Sequence, residues 1–355
     1  MRIQNAVKQA FADATPLNII AGNSKSWYGR EATGAALHIG EHAGIINYLP
    51  TELIITAKAG TPLADIAAAL DTHKQRLPFD PPYFSENSGK NATLGGTVAC
   101  GFSGPRRPYA GSCRDFVLAC RIVNGQGEIL KFGAEVMKNV AGFDVSRLQT
   151  GSLGTLGVLL DISLKVLPHR LAEQTIVIEA DFVTAINVMN RWAGTPLPVT
   201  AMCADGRRIY FRICGTPSSV QTSMQRIGGS LLADGLNFWK SVREHTLPFF
   251  DHQRPLYRLS LPAAHAHLSL ADAADDDWFI GWGGAQRWLK SELPAEVVFA
   301  AAQAAGGHAT LFRNGDRQGD VFAPLSHALW QWHKRIKQAF DPKCILNPGR
   351  MYRDL

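Results

Sequence analysis

Thr93-Leu94-Gly95-Gly96-Thr97-Val98-Ala99-Cys100-Gly101-Phe102-Ser103-Gly104 is the stretch that decides how this 355-residue chain reads. Its glycines let backbone approach a bulky ligand closely, and its hydroxyl side chains can donate to oxygen-rich groups. Around it, 13 of the 33 glycines fall between residues 81 and 160, roughly twice the density elsewhere. Upstream, Leu17-Asn18-Ile19-Ile20 reads as a short strand running into Ala21-Gly22-Asn23-Ser24-Lys25-Ser26. Such a loop can present successive backbone N–H groups to an anion, although taken alone it is more simply an ordinary turn. Neither the P-loop pattern nor the Rossmann glycine pattern occurs in the chain. Downstream lie Ala141-Gly142-Phe143-Asp144 and Gly151-Ser152-Leu153-Gly154-Thr155-Leu156-Gly157-Val158. Three such loops close together are hard to dismiss as turns.

The flanking pattern is mixed. Ile3, Ala6, Val7, Ala10 and Phe11 follow helical spacing, ending before Pro16. Leu53, Ile55, Ala57 and Ala59 share a strand face, and Thr61-Pro62 predicts the start of a helix of about a dozen residues, ending near Arg76 and packed through Ala64, Ala67, Ala68 and Leu70. Between Phe79 and Gly111 only turn formers stand out, among them Asn87-Ser88-Gly89, which marks a binding loop. Asn124-Gly125-Gln126-Gly127 between two apolar runs signals a hairpin. Alternation from Val158 to Val166 predicts a strand in a half-covered sheet. Past Arg170 the texture changes to longer strands and helices, placing a domain boundary near residue 170. Leu325, Leu329, Trp332, Ile336 and Phe340 mark a final amphipathic helix.

Composition excludes several classes. A hydrophobic fraction of 46% and a charged fraction of 19% exclude disorder and coiled coil, and no apolar run is long enough for a membrane-spanning helix. The net charge of +6 is spread along the chain, without the concentrated basic stripe of a nucleic-acid binder. Six cysteines with no CxxC pair lack the spacing for zinc or an iron-sulfur cluster, and read as reduced thiols of a cytosolic protein. Polar residues from Gln4 to Asp13 interrupt any secretory leader. His265 and His267 suit a strand edge better than a metal pair, and no metal site is expected.

In their order, the glycine loops over roughly residues 15 to 170 resemble the flavoprotein superfamily of vanillyl-alcohol oxidase and p-cresol methylhydroxylase. Phe340-Asp341-Pro342 and Leu346-Asn347-Pro348-Gly349-Arg350 resemble the closing motif of the FAD-linked 2-hydroxy-acid oxidases and dehydrogenases, so the likeness brackets the whole chain. Short length, the run Lys138-Asn139-Val140-Ala141-Gly142-Phe143-Asp144 and the ending Asn347-Pro348-Gly349-Arg350-Met351-Tyr352 are similar to the FAD-binding subunits of multi-subunit bacterial enzymes of that group.

The resemblance implies an α+β fold: a PCMH-type two-subdomain FAD-binding domain over residues 1–170, then a smaller α+β cap over 171–355 whose C-terminal segment returns to the FAD domain. It assigns FAD contacts to Gly22, Asn23, Ser24, Lys25, Ser26, Thr93, Gly95, Gly96, Thr97, Gly101, Ser103, Gly104, Tyr109, Gly157, Val158 and Asn347. Residues 22–30 hold neither the histidine nor the cysteine of covalently flavinylated members, so FAD is expected to be non-covalent. The implied reaction is oxidation of glycolate to glyoxylate, with electrons passed toward a respiratory acceptor. The implied partners are a larger homologous flavin subunit and an iron-sulfur subunit, in the cytoplasm or at the inner face of its membrane.

The chain also departs from the family. The histidine-rich metal and substrate motif of the larger relatives has no equivalent, and Gly307-His308-Ala309-Thr310 is its nearest remnant, leaving His308 as a weak catalytic candidate. Leu153 stands where the family carries an acidic residue. Two other readings stay open: a stand-alone flavin oxidase of a small alcohol or sugar, and a structural subunit whose FAD pocket is vestigial.

Overall fold

A computed structural model of the chain describes residues 2–85, 91–134, 144–169 and 171–355. The Asn87-Ser88-Gly89 turn and residues 138–143 of the motif above lie outside the described residues.

The apolar runs of the first half form small sheets. Leu17–Ile20 pairs in parallel with Ala35–His38. A five-stranded sheet follows in the order Ile45–Leu49, Ile54–Lys58, Val158–Lys165, Val117–Val123, Ile129–Gly133, all neighbours antiparallel. The hairpin forms at 124–127, where Asn124 Oδ1 accepts from the amides of Gln126 (3.1 Å) and Glu128 (2.8 Å).

Three local expectations are corrected. The strand Val158–Lys165 is the middle of five and is covered on both faces. The polar residues of its supposedly wet face pair with neighbouring strands: Ser163 with Thr56 at 2.8 Å, and Asp161 with Arg121 at 2.6 Å. Second, the helix after Pro62 runs only over Leu63–Asp71 and packs through Leu63, Ile66 and Leu70, leaving Ala64 and Ala68 exposed. Lys74 turns the chain with φ 51°, and Gln75–Arg76 becomes a strand against Leu167–Pro168. Third, the glycine stretch contains a true helix, Leu94–Cys100. Thr93 caps it by accepting from the Gly96 amide, and Gly101 ends it in the left-handed region at φ 66°. Caps and the burial of Leu94 and Val98 outweigh the poor propensity of Gly95-Gly96.

The second half builds one eight-stranded sheet, in the order Ser230–Leu231, Ala172–Glu179, Arg208–Gly215, Val199–Ala204, Trp278–Gly281, Gln286–Lys290, Leu256–Ser260, His308–Arg313. Helices Phe182–Ala193, Pro217–Ile227 and Ala295–Ala304 bury their apolar stripes in one core with it. A separate core joins Ala201, Tyr210, Trp288 and Phe312 of the sheet to Tyr28, Phe84 and Phe102 of the first half, so the two halves meet through a seam of aromatic rings.

The final helix forms as expected, over His327–Phe340 with Asp341 at its end. Of its apolar stripe, Phe340 packs on the first half's core against Phe132, while Leu329 and Trp332 are 51% and 58% exposed. The helix is also held through Lys337, buried with Asp341, the two side chains 2.8 Å apart. Lys337 Nζ also donates to the carbonyls of Thr155 (2.8 Å) and Leu346 (3.0 Å), while Asp341 accepts from the amides of Ile345 and Leu346. The chain then returns to the first strand, where the Leu17 amide donates to Ile345 O at 2.7 Å and the Asn347 amide to Leu17 O at 2.9 Å.

Removing one member of a buried, fully hydrogen-bonded ion pair strands the other. Lys337→Met is expected to lower stability by about 3–5 kcal/mol in urea unfolding. In a double-mutant cycle with Asp341→Asn the two losses are expected to be strongly non-additive.

Candidate functional site

Where the first strand, the helix Leu94–Cys100, the loop at 153–157 and the returning C-terminus converge, they enclose a cavity of about 400 Å³. Of the residues expected to touch a ligand, Gly22, Asn23, Ser24, Lys25, Ser26, Thr93, Gly95, Gly96, Gly157 and Asn347 line it. Ile19, Cys100, Leu153, Gly154, Arg317 and Arg350 line it as well. Five of these six lie within the stretches singled out in the sequence without being marked as ligand contacts, and Arg317 reaches the cavity only through the fold.

The loop at 22–26 is arranged as a donor surface. Three of its five carbonyls are taken: Ser24 O by Trp27 Nε1 (3.0 Å), Lys25 O by the Tyr28 amide (3.1 Å), Ser26 O by Arg317 (2.8 Å) and Arg350 (3.0 Å). Arg350 also reaches Tyr28 O at 2.6 Å, and Arg317 reaches Gly29 O at 2.7 Å. The backbone amides of Asn23, Ser24, Lys25 and Ser26, by contrast, donate to no protein acceptor among the described residues. Asn23 is left-handed at φ 59°, which gives the loop the alternation that gathers successive N–H groups around an anion. Lys25 adds a buried cation whose pKa burial lowers to about 8 against the opposing pull of Cys100 and Glu244.

The glycines divide by what a Cβ would meet. At Gly22 it would collide with Asn91 O, at Gly95 it would lie 2.7 Å from the Ala59 Cβ, and at Gly157 2.7 Å from Ile122 Cδ1. Those three are required by protein packing. At Gly96 the added atom would meet only Thr93 Oγ1, at 3.2 Å, so the space there is left by the cavity. Asn347 (φ 42°) braces two walls: its Oδ1 accepts from the Ile19 amide at 2.8 Å and its Nδ2 donates to Leu153 O at 2.7 Å.

The remaining expected residues stand off this cavity. Thr97 and Val158 are fully buried, and Thr97 Oγ1 has no partner among the described residues. Gly101 ends the helix with its amide on Thr97 O and Val98 O. Ser103 Oγ accepts from the Cys113 amide, and Gly104 packs on Asp80, its carbonyl accepting from Trp282 Nε1 at 3.0 Å. Tyr109 packs against the second half's core, burial pushing its phenol up. His308 opens the edge strand His308–Arg313, exposed as a residue, its pKa lowered by burial of the ring and by Arg258 and Arg107. No histidine lines the cavity.

Four free amides, a buried lysine and a glycine cradle suit a ligand with a pyrophosphate centre, which is the chemistry of FAD. Residues 2–133 match the model of a family described as an FAD binding domain. Glycolate oxidase subunit GlcE of Escherichia coli is 46% identical over 349 residues, 98% of this chain and 96% of that one. A D-lactate dehydrogenase of Anaerostipes hadrus is 37% identical over 124 residues, 35% of this chain and 25% of that one. Glycolate oxidase subunit GlcD of Bacillus subtilis is 32% identical over the same length and shares. Among solved structures, 4-ethylphenol oxidase from Gulosibacter chungangensis superposes with TM-score 0.71 at 14% identity, covering 99% of this chain and 87% of its own. An alkyldihydroxyacetonephosphate synthase gives 0.67 at 14% identity, over 98% of this chain and 75% of its own. With that likeness running almost end to end, the chain belongs to the family of glycolate oxidase subunit GlcE, within the FAD flavoproteins of the PCMH and vanillyl-alcohol oxidase fold.

Proposed function

We propose that the chain is the FAD-binding subunit of a glycolate oxidase, with FAD held non-covalently in the cavity between the loop at 22–26 and the helix Leu94–Cys100. One observation carries the reading: four consecutive loop amides without protein acceptors among the described residues belong to residues lining a space that also takes in Gly96, where an added Cβ would meet only Thr93 Oγ1, at 3.2 Å. When bound, FAD supplies a hydride acceptor for the α-carbon of a 2-hydroxy acid. The amides of residues 23–26 and the Lys25 ammonium would offset the pyrophosphate charge, and Asn347 would keep the walls at a fixed separation. Within this reading residues 1–170 act as the FAD domain and 171–355 as the cap.

The cavity wall favours a division of labour with a partner. It takes Arg317, Asn347 and Arg350 from the second half and nothing from the eight-stranded sheet. Trp27, Tyr28, Phe102 and Phe312 pack ring against ring at the seam, with centroids 4.6–6.2 Å apart. Among the described residues no histidine lines the wall, and its titratable side chains include Lys25, Glu31 and Cys100. Removal of the hydroxyl proton is therefore assigned to the larger homologous flavin subunit, in a complex with an iron-sulfur subunit at the inner face of the cytoplasmic membrane. Among the described residues no helix is long and apolar enough to cross a membrane, which accords with attachment through partners.

Anaerobic mixing with glycolate tests this. The purified yellow chain alone is expected to keep its flavin absorbance, and the reconstituted complex to bleach; bleaching by the isolated chain would return the chemistry to this subunit, and a colourless chain that takes up no FAD would leave a vestigial pocket. The glycines give a second test. Gly96→Val is expected to fold with a near-native Tm yet lose most bound FAD, while Gly95→Val loses the fold itself, as circular dichroism and flavin stoichiometry would show. The third concerns pH. Lys25 is charged below about 8 and neutral above it. FAD affinity is expected to fall as pH rises through about 8, by up to tenfold per unit, with proton uptake on binding; Lys25→Met should flatten the profile in fluorescence titrations.

A further inference from the structure

A second cavity, of about 680 Å³, is lined by residues of both halves and, among the described residues, shares none with the first. Four guanidinium groups converge on it, Arg76 from the first half's small strand, Arg106, Arg212 from the strand Arg208–Gly215, and Arg243 from the helix Gly235–Glu244. Three of them have a carboxylate each. Arg106 reaches Glu173 at 2.9 Å, Arg212 reaches Asp80 at 3.2 Å, and Arg243 reaches Glu244 at 2.7 Å. Asp80 is also 3.7 Å from Arg243 and 4.0 Å from Arg106, so its charge is already shared among three cations.

Arg76 is the remainder. Among the described residues its side chain makes no hydrogen bond and no ion pair, and its Nε is buried without a partner. Burial and the repulsion of Arg106 and Arg212 pull its pKa down to about 10. Arg212, with only 5% of its side chain exposed, likewise leaves its Nε unpartnered. A partly buried cation beside two other guanidinium groups, with the nearby Asp80 carboxylate already shared among three arginines, is destabilising unless an anion completes the set. The planar fork of arginine matches the oxygens of carboxylate and phosphate groups.

We propose that this arginine-lined cavity between the two halves binds a small oxyanion, of the phosphate or carboxylate class, with Arg76 as its defining ligand. The anion would complete the charge pairing and tie the small strand Gln75–Arg76 to the helix Gly235–Glu244, so its occupancy stiffens the joint between the halves. The site is independent of the flavin cavity and of the reading of that cavity as the FAD site.

The test uses the full FAD-loaded chain, titrated with inorganic phosphate and separately with malonate, against potassium chloride at matched ionic strength. At least one of the two anions is expected to raise Tm saturably, by about 2 °C or more, and to give saturable heat in calorimetry; the more effective one identifies the source. Arg76→Gln is expected to abolish both signals while leaving flavin absorbance unchanged, and without anion to match or exceed the parent's Tm, since it removes an unpaired cation. Arg76→Lys, which keeps the charge and loses the fork, should weaken the response. A parent that responds no more to phosphate and malonate than to chloride overturns the proposal, as does an undiminished response in Arg76→Gln.

Discussion

The Asp341 carboxylate is the contact on which the cavity depends. It is fully buried, yet every strong interaction it offers is used: Lys337 one turn earlier in the helix, and the amides of Ile345 and Leu346 after it. Lys337 carries the same charge pair onward to Thr155 O, within the glycine loop that walls the cavity. The pairing also shapes the hairpin beside it. A Cβ at Gly125 would collide with the Asp341 carboxylate, and the Gly125 amide donates to Phe340 O at 2.8 Å. The glycine of that turn is thus required by a residue 216 positions away as much as by the turn itself.

From this anchor the last residues acquire their role. Asn347 follows directly and ties Ile19 to Leu153, and Arg350 follows to occupy the carbonyls of Ser26 and Tyr28. Binding the carbonyls of a loop leaves its amides as the unspent half of the backbone, which is the electrostatic condition for receiving an anion. The C-terminus therefore prepares the loop at 22–26 through hydrogen bonding on its far side. The second cavity follows a related logic, since its carboxylates are taken up by Arg106, Arg212 and Arg243 and, among the described residues, Arg76 is left over.

Much of this was legible in the residues. Leu17–Ile20, the hairpin around Asn124-Gly125-Gln126-Gly127 and the returning Asn347 segment are written in local pattern and turn chemistry, and they appear in the fold at those places. The glycine stretch was harder. Gly95 and Gly96 are adjacent and alike in sequence, and only their surroundings separate a glycine that packs on Ala59 from one that borders a cavity. Thr97, Gly101 and Ser103 have the composition of ligand donors but stand off the cavity: Thr97 is buried with its hydroxyl unpartnered among the described residues, Gly101 ends the helix, and Ser103 Oγ accepts from the Cys113 amide. The final helix is legible in its periodicity, and Phe340 of its stripe packs on the first half's core; what periodicity does not show is the buried lysine that pins it, because lysine reads as surface in any hydropathy pattern.

Sequence by itself determined the order of glycine loops, the strand and turn positions, and the family to which they belong, because those depend on short-range backbone preferences and on residue type. Tertiary structure alone decided which glycines border a cavity, that Arg317 joins its wall, and, among the described residues, which loop amides are left without acceptors and that Arg76 has no counter-ion. Each of these is a statement about vacancy or pairing across tens to hundreds of residues. Burial and the direction of a hydrogen bond are set by neighbours in space, and no local pattern along the chain encodes them.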